Sequence, residues 1–275
     1  MYLSEMKAMI FAAGLGTRLR PITNDIPKAL ARVGDRTLIE ICIGRLYSSG
    51  YDDIVVNAHH FADKLISEIE RLRVQFPKVS LHISDEREHL MDTGGAVLFA
   101  EHLLSDADSF LIHNVDMISN ADLRSFHDSA VEMMSSGQEC DAVLLVHEAP
   151  SDRMLIFDRN MRLVGWTDVA KGIFKGPVAS GSPDGKTCPD GRLIADVVRE
   201  SGAKMLSFSG IHTMSRRVFS LMRNYGFSGA FPVMDFYLRA AADGRVAGIV
   251  DKGLEILDVG TPEKLLAAGD FILRC

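Results

Sequence analysis

The chain reads as an α/β protein, three layers deep, with a mainly parallel mixed sheet and helices on both faces. Three observations predict this. Short apolar runs alternate with longer amphipathic stretches through the first half, the order of a parallel sheet with crossover helices. The first apolar run ends in Gly14-Leu15-Gly16, a turn that lets the backbone approach a ligand closely. Two aspartates, Asp116 and Asp258, directly follow apolar runs, where open parallel sheets bind ligands.

The elements follow in order. Ala8–Ala12 is the expected first strand. Leu38–Ser49 has helical spacing, with Leu38, Ile41, Ile43 and Leu46 apolar and Gly50 as the stop. Asp53–Asn57 is the second strand, Phe61–Phe76 a helix closed by Pro77, and Val79–Ile83 the third strand. Thr93–Leu104 is helical, Phe110–Ile112 is the fourth strand, Leu123–Ser135 a helix and Ala142–Val146 a further strand. Ser151–Gly202 is rich in Gly, Pro, Ser and Asp, and reads as hairpins with a long irregular loop around Phe174–Gly191. Order resumes with a strand at Lys204–Phe208 and helices at Arg216–Tyr225 and Pro232–Asp243. Short strands at Ala247–Val250 and Glu255–Leu257 precede a closing helix, Pro262–Leu273. No repeat or linker interrupts the chain, so one domain spanning 1–275 is expected.

Composition narrows the function. With 47% apolar and 24% charged residues in 275, the chain has the balance of a soluble globular protein. A net charge of -7 argues against broad nucleic-acid binding but not against a local basic pocket. No apolar run is long enough to span a bilayer, and the first residues lack a secretory pattern, so no membrane association and a cytoplasmic location are expected. Cys42, Cys140, Cys188 and Cys275 form no C-x-x-C, so neither a zinc site nor a disulfide framework is read. His59-His60 are adjacent, which does not suit one metal from one helix face.

The loop after the first strand carries the chemistry. Lys and Ser/Thr do not follow Gly16, so it is not a Walker loop. Leu19 stands where a dinucleotide fingerprint needs its third glycine. Arg18, Arg20 and Lys28 instead surround the turn with positive charge, which suits a polyphosphate cradle. Asp116 and Asp258 would together hold Mg²⁺, a hard cation that keeps substrate phosphates in its shell.

These motifs resemble those of the sugar-1-phosphate nucleotidylyltransferases. The resemblance rests on Ala12-Ala13-Gly14-Leu15-Gly16-Thr17-Arg18-Leu19-Arg20-Pro21 with Pro27-Lys28, on Asp92-Thr93-Gly94-Gly95-Ala96, on Asn114-Val115-Asp116, on Phe208-Ser209-Gly210-Ile211 and on Asp258-Val259-Gly260-Thr261-Pro262-Glu263. It spans nearly the whole chain. It implies a Rossmann-like nucleotidyltransferase fold with a nucleotide-binding half (about 1–145) and a sugar-phosphate-binding half (about 146–275). It assigns Arg18, Lys28 and Asp116 to catalysis. It places Ala12, Ala13, Gly14, Gly16, Thr17, Asn57, His59, Thr93, Gly94 and Gly95 around the nucleotide, Gly210 and Asp235 at the sugar phosphate, and Mg²⁺ on Asp116 and Asp258. Within the family, the small uridylyltransferases acting on N-acetylmuramate 1-phosphate and the mannose-1-phosphate guanylyltransferase-like enzymes look most similar.

The implied partners are an NTP, with UTP leading, and a sugar 1-phosphate. GTP or CTP with a mannose-1-phosphate-like or phosphocholine acceptor is the alternative, as is a silent nucleotide-sugar-binding subunit. Homo-oligomerisation stays open. The family's Glu-Lys-Pro triplet, whose lysine binds the sugar phosphate, is missing. Lys171, Lys175, Lys186 and Lys204 are its potential substitutes, and Trp166 reads either as core or as a sugar platform.

Overall fold

The computed structural model describes residues 6–136 and 139–273. Cys275 lies outside them. The first half is built from β1 (Lys7–Phe11), a small hairpin of β2 (Arg32–Val33) and β3 (Arg36–Thr37), β4 (Asp53–Ala58), β5 (Ser80–Asp85), β6 (Ser109–Asn114) and β7 (Met117–Ser119). Its helices are α1 (Leu38–Ser48), α2 (Ala62–Gln75), α3 (Asp92–Phe99), α4 (Glu101–Leu104) and α5 (Leu123–Ser135). β1 pairs in parallel with β4 and β6, and β4 with β5. Residues of β4 are buried throughout, as expected of an inner parallel strand covered on both faces. Thr37 starts α1 by accepting from Glu40 N, and Asp122 starts α5 by accepting from Ser125 N.

The second half adds β8 (Ala142–His147), β9 (Arg153–Phe157), β10 (Leu163–Asp168), β11 (Ile173–Lys175), β12 (Lys204–Ser215), β13 (Val246–Val250) and β14 (Ile256–Asp258). It also adds α6 (Ile194–Ser201), α7 (Val218–Asn224), α8 (Val233–Ala241) and α9 (Pro262–Ile272). β12 is antiparallel to β6 and β8, and β13 runs parallel to β8. β9, β10 and β11 extend the sheet as an antiparallel meander from the first residues of β12. The sheet is therefore mixed, with its parallel core in the first half. One hydrophobic core on each face carries the packing.

Four local expectations change. β12 does not stop at Phe208; a bulge between Phe208 and His212 lets the strand run on through Gly210. α6 lies inside the stretch expected to be irregular; Ile194 and Val198, four apart, bury one face in a small separate core. The expected helix Thr93–Leu104 breaks at Ala100 into α3 and α4. β7 and β14 leave the main sheet and pair with each other as a two-stranded antiparallel ribbon.

Candidate active site

The first strand opens into the site through a hydrogen-bond relay. Asn57, at the end of β4, accepts at Oδ1 from Ala12 N (2.7 Å) and Ala13 N (3.2 Å). Its Nδ2 donates to Glu86 Oε1 at 2.9 Å, and Glu86 Oε2 accepts from Met91 N at 3.3 Å. Glu86 is 2% exposed, and burial raises its carboxyl above the ordinary range. The Ala12 and Ala13 amides are thus spent on Asn57. Among the described residues no acceptor is taken by the N–H groups of Gly14, Leu15 or Gly16, which leaves those three for an anion.

Gly16 sits at φ 63°, the left-handed region that disfavours any side chain. A Cβ there would lie 2.9 Å from Thr23 Cγ2 and 3.1 Å from Lys28 Cβ. The turn is thereby folded onto Lys28, and short 3₁₀ turns at Thr17–Leu19, Ile22–Asn24 and Lys28–Leu30 continue it. Gly16→Ala is expected to weaken nucleotide binding roughly tenfold through backbone strain of about 1–2 kcal/mol. Isothermal titration of UTP checks this, and unchanged affinity would refute it.

Across from the loop, the ribbon of β7 and β14 brings the two aspartates together. Asp258 pairs with Met117, and Val259 N donates to Asp116 O at 2.8 Å. Lys28 Nζ forms an ion pair with Asp116 Oδ2, and Arg18 reaches Asp258 Oδ2 at 3.5 Å. Asp258 Oδ1 is buried without a hydrogen-bond partner. A buried carboxylate oxygen with no donor is a hard ligand in want of a cation, so the pair fits Mg²⁺. No group of three or more His, Cys, Asp or Glu suited to a metal occurs among the described residues. Substrate phosphates and water would complete the shell, as Mg²⁺ prefers.

Each aspartate of the pair lines a different cavity. The first, of about 340 Å³, is lined by Ala12, Ala13, Gly14, Lys28, Asn57, Thr93 and Asp116, all anticipated, together with Phe11, Glu86, Leu90, Asp92, Asn114 and Val115. The second, of about 610 Å³, is lined by Asp235 and Asp258 with Met117, Ser151, Arg153, Trp166, Lys175, Phe208 and Leu238 among others. Gly210, at φ 76°, lies at the seam: a Cβ would come within 2.8 Å of Asn114 Nδ2 and 3.0 Å of Met117 Cγ. Lys175 Nζ stands 5.5 Å from the centre of the Trp166 ring. Lys171 is instead tied to Asp168 at 3.2 Å.

Six expected positions, Gly16, Thr17, Arg18, His59, Gly94 and Gly95, lie outside the lining of the first cavity. Gly94 and Gly95 do not line the cavity. Their N–H groups donate to Phe231 O, and a Cβ would meet the Phe231 ring at 2.3 Å or Gly229 O at 2.2 Å. They are packing glycines, and the wall they were expected to form is made by Asp92 and Thr93. His59 also stays outside the lining, its Nδ1 held 2.7 Å from Glu86 O. Thr17 opens a 3₁₀ turn next to the cradle, and the Arg18 side chain is 63% exposed. Glu86 could have been found by the rule that found Asp116, since it follows the third parallel strand. Nothing local marks Arg153; only the meander brings it to the site.

A glycine turn, two cations and two carboxylates converge beside the parallel strands, an arrangement that suits an anionic, phosphate-bearing ligand. The family model described as nucleotidyl transferase matches residues 7–152. The N-acetylmuramate alpha-1-phosphate uridylyltransferase of Caulobacter vibrioides is 31% identical over 263 residues, covering 95% of this chain and 94% of its own. The mannose-1-phosphate guanyltransferase of Aspergillus oryzae is 36% identical over 126 residues, but these are 44% of this chain and 34% of that one. HddC from Yersinia pseudotuberculosis, solved in complex with GMP-PN, superposes with a TM-score of 0.67 at 19% identity, covering 97% of this chain and 99% of its own. The chain belongs to the nucleotidyl transferase family, among its sugar-1-phosphate nucleotidyltransferases. No helix among the described residues is long and apolar enough to cross a membrane.

Proposed function

We propose that the enzyme transfers a uridylyl group from UTP to the 1-phosphate of an acidic amino sugar of the N-acetylmuramate type, releasing pyrophosphate. The observation that carries this reading is a pair of ribbon-joined aspartates, of which Asp116 lines one cavity with Lys28 and Asp258 lines the other with Arg153 and Lys175. The similarity to the Caulobacter uridylyltransferase over nearly both full lengths supports the choice of base and sugar.

The acceptor phosphate oxygen attacks the α-phosphorus in line, and the pyrophosphate oxygen departs. No protein nucleophile is needed; positioning and charge neutralisation carry such transfers. The Gly14–Gly16 amides and Arg18 hold the departing β- and γ-phosphates. Lys28 steadies the α-phosphate as charge develops on it. Mg²⁺ held by Asp116 and Asp258 would supply further charge neutralisation at the reacting phosphates. Asn57 and Glu86 fix the strand end against which the nucleotide lies. In the second cavity Arg153 and Lys175 supply positive charge for the acceptor phosphate, beside the carboxylates of Asp235 and Asp258.

The deciding experiment crosses UTP, GTP, CTP, ATP and dTTP with N-acetylmuramate, N-acetylglucosamine, glucose and mannose 1-phosphates, reading pyrophosphate release with Mg²⁺. UTP with N-acetylmuramate 1-phosphate is expected to lead. A preference for GTP with mannose 1-phosphate overturns the reading. Lys175→Met is expected to raise the acceptor KM roughly tenfold or more, with the UTP KM held; equal shifts in both would remove Lys175 from the acceptor site.

A further inference from the structure

Helices α3 and α8 begin side by side; Met91 precedes one and Pro232 the other, neither caps with its side chain, and in α3 only the Thr93 N–H finds a local side chain, Asp92 Oδ1 at 2.6 Å. A helix start leaves N–H groups without intrahelical partners. Here the two starts satisfy each other. Phe231 O, just before α8, accepts from Gly94 N at 2.8 Å and Gly95 N at 3.1 Å in the first turn of α3. Thr93 Oγ1, in α3, accepts from Val233 N at 2.9 Å, the first residue of α8 and 140 positions away. Phe231 N closes the set on Met91 O at 3.2 Å. The missing side chains of Gly94 and Gly95 are what let residues 229–231 approach so closely.

The two helices serve different cavities. α3 opens with Asp92 and Thr93 on the wall of the first. α8 carries Met234, Asp235 and Leu238 into the second. The junction is made of backbone and one short hydroxyl, which leaves little slack between the half-sites.

We propose that Thr93 is a positioning residue that couples the half-sites: a nucleotide seated against Asp92 and Thr93 holds the start of α8, and α8 then presents Asp235 to the acceptor. This rests on reading the second cavity as the acceptor's. Coupling of this kind makes each ligand tighten the other.

The test is isothermal titration of N-acetylmuramate 1-phosphate into the protein alone and into the protein saturated with Mg²⁺ and α,β-methylene-UTP. In the wild type the analogue is expected to tighten acceptor binding roughly 5- to 20-fold. Thr93→Val matches the shape but cannot accept the Val233 proton, and abolishes the enhancement. Thr93→Ser retains it. The double variant Thr93→Val/Pro232→Ser gives α8 a local cap, so it regains wild-type Tm, yet stays uncoupled. Enhancement preserved in Thr93→Val, restored by Pro232→Ser, or missing from the wild type overturns the proposal. Wild-type pyrophosphate release reports on the functional reading separately. Turnover without enhancement removes the link alone, and loss of both removes the reading with it.

Discussion

Asp116→Asn is expected to lower kcat roughly 10³-fold or more while the protein stays folded. Asp116 stands between Lys28, with which it is paired, and the partner strand, where its carbonyl accepts from Val259 N. Asparagine preserves the backbone contact and an oxygen for the Lys28 ammonium, so the stability cost stays about 1–2 kcal/mol. What it removes is the negative charge that a Mg²⁺ ligand needs. Lys28→Met should produce a loss of similar size by another route, since it removes the cation proposed to steady the α-phosphate and leaves Asp116 without its ion-pair partner. Single-turnover pyrophosphate release, with Tm measured on the same preparations, separates chemistry from folding. Near-wild-type turnover in Asp116→Asn would take Asp116 out of the mechanism.

Acidification from pH 7 to pH 5 should cost about 6 kcal/mol of folding stability, a large part of the 5–15 kcal/mol typical of a domain. Three of the four buried histidines carry most of it, and burial lowers His147 in the same direction. Burial pushes His113 down to about 4, His127 to about 4 and His212 to about 3, from an ordinary 6.5. Burial keeps His113 neutral and outweighs the hydrogen bond that its Nδ1–H donates to Asn114 O at 2.8 Å, which favours the charged form. His212 lies against Phe11, Phe208 and Tyr237, with neither ring nitrogen hydrogen-bonded. The unfolded chain takes up protons below pH 6.5 and the native chain does not until its depressed values are reached. Stability is therefore intact above pH 6.5 and falls as pH drops, at roughly 1.4 kcal/mol per pH unit for each ring. Glu86 acts in the opposite sense, because burial raises its carboxyl and protonation relieves it. Urea midpoints between pH 5 and pH 8 would record the slope, and His212→Phe should remove about a third of it. A flat profile across pH 5–7 would refute this account.

Site features whose chemistry is local are legible in one dimension. Gly16 needs its left-handed turn whatever surrounds it. Arg18 and Lys28 follow that turn closely enough to share its ligand, and Asp116 and Asp258 end apolar runs. Gly94 and Gly95 were misplaced because a glycine that admits a ligand and one that admits Phe231 look the same in one dimension. Glu86 follows the third strand as Asp116 follows the fourth, and only its contact with Asn57, 29 positions away, reveals that it is buried. Its burial depends on Asn57 and Met91, which are distant in sequence from it or invisible as donors.

Alternating apolar runs and one cation-rich glycine turn are enough to predict an α/β fold with a polyphosphate cradle, because periodicity and backbone freedom are properties of a few consecutive residues; the enzyme class rests on the resemblance carried by motifs along the whole chain. Tertiary structure alone decided the rest. The ribbon that joins the aspartates, the meander that delivers Arg153 and Lys175, and the shared start of α3 and α8 all depend on contacts between distant segments. Such contacts exist only after the chain has paid the entropy of closing its loops, and no window of sequence contains both partners.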